Sequence, residues 1–169
     1  MATLETQLTN WDGKSKEDIQ QIYDQFAGNP NLFPELVGLL ANPFCERGAS
    51  WLLKRHLEAD FQLSPCDTVT CLQQLPQLQH WESRLHLLQS LNRLTLPKSE
   101  KRALEIFIRK GFSDTNKFVR AWSYDGFYQL AKQFPEYQQE VLALLDMAMK
   151  DEPASVKARI RNILKLGFD

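Results

Sequence analysis

Four residues place the strongest constraint on this chain. Cys45, Trp81, Val119 and Val156 follow one another at intervals of 36, 38 and 37 residues, and each opens the second of two apolar-periodic segments. A recurrence of that length means one small unit repeated, and a unit so short cannot bury its apolar face alone. Side-chain type says what the unit is made of. The chain has 26 Leu and 14 Gln against 5 Val and 6 Ile, and unbranched or γ-branched side chains lose little rotamer freedom in a helix, whereas β-branched ones favour strands. An all-α protein of short antiparallel helices is the expectation.

The punctuation between segments sets their limits. Ser15 followed by Asp18 resembles a capping box, and Ile19, Ile22, Tyr23 and Phe26 recur at helical spacing until Gly28-Asn29-Pro30, which predicts an N-terminal helix over 15–27. Pro34 suits a first helical turn, and Leu36, Val37, Leu39 and Leu40 run on to Asn42-Pro43; a partner helix over roughly 45–61 carries Ala49, Leu52, Leu53 and Leu57. Ser64-Pro65-Cys66-Asp67 repeats the logic of cap, proline and acidic first turn, and Trp81, Leu85, Leu88 and Leu91 follow. After Pro97 come Leu104, Phe107 and Ile108, then Asp114 or Thr115 as the cap of a helix with Val119, Trp122, Phe127 and Leu130. Val141, Leu142, Leu145 and Met149, then Val156, Ile160, Ile163 and Leu164, complete the set. These limits give hairpins over 31–62, 65–95, 98–134 and 136–167 within a single domain of 1–169, since no linker is long enough to separate two domains.

The last two hairpins also share a local motif. Ala103 to Ile108 is followed by Ser113-Asp114 and Val119-Arg120-Ala121; Val141 to Leu145 is followed by Lys150-Asp151-Glu152-Pro153 and Val156-Lys157-Ala158. These residues resemble HEAT repeats, whose units are an apolar helix, a turn often containing Asp or Pro, and a second helix opening Val-Arg-x-x-Ala. Ala121 and Ala158 follow the basic residue more closely than the family spacing has it. Pro34 to Leu40 followed by Arg47-Gly48-Ala49 is a third copy, and the resemblance covers about 31–167. It implies a HEAT-like (armadillo-type) α-α superhelix of about four hairpins, stacked right-handedly, with the second helices lining the concave face. An armadillo-like or DNA-alkylation-repeat relative fits the same pattern, and an ordinary α-bundle is the plainer alternative.

Groups that would carry chemistry are sparse. His56, His80 and His86 stand apart, and neither Cys-x-x-Cys nor His-x-x-x-His occurs, so no metal site is expected. No phosphate-binding glycine loop is present, and Cys45 falls on the core register rather than beside a base. Cys66 and Cys71 lie too close on one helix to bridge easily, which favours three free thiols in a reducing, cytoplasmic setting. No apolar run approaches the roughly 18 residues of a membrane span. Neither catalysis nor a cofactor is expected.

Charge is more informative. Residues 1–84 carry net −5 and 85–169 net +4, within an overall −1 that argues against a globally basic nucleic-acid binder. Projecting the second helices at every fourth residue gives Glu46, Ser50, Lys54; Glu82, His86, Ser90; Arg120, Tyr124, Tyr128; and Lys157, Arg161, Lys165. Trp122 and Phe127 fall on the buried register with Val119, while Tyr124 and Tyr128 are expected to face away from the first-helix layer. The candidate partner-binding set is therefore Arg120, Tyr124, Tyr128, Lys157, Arg161 and Lys165 on a basic concave stripe. It suits a protein or acidic peptide segment held by a non-enzymatic interaction module or scaffold. The alternative is a nucleic-acid binder related to the alkylation-repeat proteins, with the cations on phosphates and the tyrosines stacking on bases.

Overall fold

The computed structural model describes residues 1–168, and every regular element among them is helical, with no strand. None of these helices is long and apolar enough to cross a membrane. They gather into two compact units, Met1–Thr95 and Leu96 onward. The single-domain expectation drew no such border, yet it falls at the break before Pro97 where one hairpin was expected to end and the next to begin.

The first unit runs α1 (Leu4–Asn10), α2 (Lys16–Phe26), α3 (Leu32–Leu39), α4 (Glu46–Glu58), α5 (Pro65–Gln74) and α6 (Trp81–Ser90). The expected caps are present: the Ser15 and Ser64 hydroxyls accept the backbone N–H of Asp18 and Asp67, each at 3.1 Å. Helix α1 was not foreseen. It is a seven-residue helix with only Leu4 and Leu8 as an apolar row, too short for periodicity to announce it. Both leucines are buried, and Leu8 seats where Gly48 of α4 has no side chain; a Cβ at Gly48 would collide with it. Helices α3 and α4 form one pair, with α5 packed on α3 and α6 on α4.

The second unit contains α7 (Lys101–Gly111), α8 (Lys117–Gln133), α9 (Gln138–Asp151) and α10 (Ala154–Leu166). Helix α8 is central, covered by α7, α9 and α10. Its cap is Asn116, whose side chain accepts from Phe118 and Val119, rather than Asp114 or Thr115. Asp114 acts one step earlier, accepting the N–H of Asn116 at 2.8 Å. Close contact between α7 and α8 depends on Gly111, where a Cβ would overlap Ser123.

One member of the periodic set is corrected by burial. Cys45, Val119 and Val156 are core residues, but Trp81 is 40% exposed at the start of α6; the buried position two residues on is Ser83. One turn further along, Ala49, Leu87, Ser123 and Ile160 are all fully buried, at intervals of 38, 36 and 37 residues. A search for apolar residues passes over Ser83 because its volume, not its polarity, suits a tightly packed position; its hydroxyl has no hydrogen-bond partner among the described residues.

Candidate functional site

The six residues of the basic stripe lie on α8 and α10, and the structure divides them. Tyr124 and Tyr128 are core residues, 9% and 3% exposed. The Tyr124 ring stacks on Phe112 at 4.9 Å and its hydroxyl donates to Glu152 at 3.3 Å. Burial, and then the neighbouring Glu152 carboxylate, push its pKa up to about 12. The Tyr128 hydroxyl donates to the carbonyl of Gly167 at 2.7 Å, and its ring meets Phe168 at 5.0 Å. Neither ring offers a face to a partner, which corrects the expectation of an aromatic groove.

Arg120 is half-buried and engaged. Its Nε lies 3.2 Å from both Glu152 carboxylate oxygens, and Nη1 donates to the carbonyls of Asp114 and Thr115. It therefore ties the turn before α8 to the turn before α10. Glu152 was read from sequence only as part of a helix stop; its role needs the turn to be folded against α8.

The reason for this division lies in which way the row points. On α4 the equivalent row is turned into α6: buried Glu46 accepts the N–H of Gln79 and His80 at 2.8 and 2.9 Å, and Ser50 meets Nδ1 of His86 at 2.8 Å. On α8 it is turned under the start and end of α10. The rows of α4 and α6 thus face each other, and the row of α8 faces the turns that flank α10. On α10 the same row is Lys157, Arg161 and Lys165. Arg161 and Lys165 are exposed and Lys157 is half-buried, and none of the three has an ion-pair or hydrogen-bond partner among the described residues. Val156, Ile160 and Ile163 form the buried side of this helix.

The open face of α8 carries different residues. Phe118 is exposed and Trp122 half-buried, so Trp122 is not the core residue its register suggested. The Arg159 guanidinium covers its ring at 3.9 Å and lies 3.7 Å from Asp125. Burial raises the pKa of Asp125, opposed by the hydrogen bond from Gln129 and by the charge of Arg159. The spacing could have found this contact, because Trp122 and Arg159 stand 37 residues apart.

Other polar clusters are structural. The buried Glu105 carboxylate accepts from Arg102, Arg109 and the Tyr137 hydroxyl, and His56 sits among Tyr23, Phe33 and Phe61 with its Nδ1 3.0 Å from the Tyr23 hydroxyl. Of the cysteines, Cys45 and Cys71 are buried and Cys66 is exposed, none of them bridged. No protein-family profile matches the chain, and no curated protein or solved structure matches it either.

Proposed function

We propose that this protein is a non-enzymatic protein-binding module, a short HEAT-like stack that acts as an adaptor or scaffold. The observation that carries the reading is the row Lys157, Arg161 and Lys165 on α10, three cations without partners among the described residues, on the row that α4, α6 and α8 use for packing. The α3–α4 pair with α5 on α3 and α6 on α4, and the recurring buried positions, support the HEAT-like part of it. Three unbridged cysteines favour a reducing compartment such as the cytoplasm. The nucleic-acid alternative keeps the same cations but loses its stacking platform, because Tyr124 and Tyr128 are enclosed.

The test is affinity capture by the intact protein from nuclease-treated extract, alongside the variant Lys157→Glu/Arg161→Glu/Lys165→Glu. Under this reading at least one protein is retained by the native chain after nuclease treatment and lost from the variant. Retention that disappears with nuclease, or persists unchanged in the variant, rejects it.

A further inference from the structure

We infer that the exposed edge of α10 docks an acidic amphipathic helix of a partner protein, in the manner in which α10 itself docks on α8. This rests on the protein-binding reading above and names the partner's chemistry. The first observation is the register. In both units the row at every fourth residue, on α4 and on α8, is engaged by a neighbouring helix or the turns that flank it: Glu46 by the turn before α6 and Ser50 by His86 of α6, Arg120 and Tyr124 by the turn before α10, and Tyr128 by Gly167 just after α10. Lys157, Arg161 and Lys165 continue that row 37 residues after Arg120, Tyr124 and Tyr128, with Lys157 half-buried and Arg161 and Lys165 exposed.

The second observation is charge complementarity. Each cation on this edge lacks an anion among the described residues, whereas Arg120, the equivalent of Lys157, is held by the Glu152 carboxylate. A partner helix that runs alongside α10 and presents a carboxylate to Lys157 places its residues four and eight positions on beside Arg161 and Lys165. The third observation separates a helix from a phosphate backbone. Leu164, 46% exposed, lies one turn after Arg161 and two turns after Lys157 along the edge of this row, and exposed Ala158 lies one turn before Arg161. An exposed leucine beside a row of cations matches an acidic helix with leucines beside its glutamates better than it matches a phosphate backbone. Arg159, about 200° around the helix from Arg161, belongs to the Trp122 contact and takes no part.

A labelled helical peptide of about 16 residues provides the test, with Glu at three positions spaced by four and Leu at the positions between, against a permuted peptide of the same composition. Fluorescence anisotropy with the full chain should show saturable binding, weakened at least about tenfold by the triple Glu variant and about threefold by Leu164→Ala, with the permuted peptide about fivefold weaker. Circular dichroism checks the fold, and Lys157→Gln/Arg161→Gln/Lys165→Gln replaces the triple Glu variant should that one unfold. Equal affinity for both peptides, or indifference to Leu164→Ala, overturns the inference as mere charge attraction. An oligonucleotide that binds through the three cations while the peptide does not assigns the edge to phosphate and overturns it. So does self-association in sedimentation that the triple variant abolishes, which assigns the edge to a second copy. A failed peptide together with nuclease-resistant capture that the triple variant abolishes removes the acidic helix alone. Capture indifferent to the triple variant removes the protein-binding reading with it.

Discussion

His86 shows how one side chain reports the quality of a helix interface. It lies between α6 and α4, against Ser50, where burial first and the charges of Lys54 and Arg47 second press its pKa down to about 4. The unfolded chain takes up this proton near pH 6.5 and the folded chain only near pH 4, so the unfolded state binds more protons in between. Stability therefore falls as pH drops through that window, by about 3 kcal/mol at its lower end from this group. Urea unfolding of wild type and His86→Gln at pH 7 and pH 4.5 should show a clearly smaller acid loss in the variant; equal losses show that His86 is not held neutral. The sequence placed His86 on the row with Glu82 and Ser90 but did not show it half-buried, because burial depends on what α4 presents opposite. Ser83 was hidden for the converse reason: a polar residue chosen for size looks like surface until a neighbouring helix is set against it.

At the scale of elements, boundaries signalled by short-range chemistry were legible and those made by tertiary partners were not. Ser15 and Ser64 cap through hydroxyls three residues from their targets, so the local sequence suffices. Helix α6 begins differently. His80, its cap residue, makes no side-chain capping bond, and the N–H of Gln79 and of His80 are instead accepted by Glu46, more than thirty residues earlier. Removing that carboxylate leaves two donors without their acceptor inside the protein, so Glu46→Ala should cost about 2 kcal/mol. Truncation of a solvated glutamate costs far less, and a midpoint shift in urea worth under about 0.5 kcal/mol would show that Glu46 does not hold the start of α6. The same distinction explains Arg120, Tyr124 and Tyr128. Their common row was readable from spacing, whereas the helix turned against it was not.

For the whole molecule, the two units differ in charge, net −4 for residues 1–95 and net +3 for 96–169, and each has its own set of buried leucines and aromatics. Such units open separately when their internal contacts dominate. Native-state hydrogen exchange should therefore sort the slow amides of α4 and of α8 into two groups with different opening free energies, divided near Thr95; a single common value for both helices would contradict this. What could be read from residue order alone was what short-range physics settles: an all-helical fold from its leucine-rich, β-branch-poor composition, and most helix limits from caps and prolines. Folding decided which face of each helix is covered. The rows of α8 and α10 are alike in spacing, yet Tyr124 and Tyr128 are buried while Arg161 and Lys165 are exposed, because exposure depends on the neighbour that packs against a face, and no residue encodes its neighbour by itself.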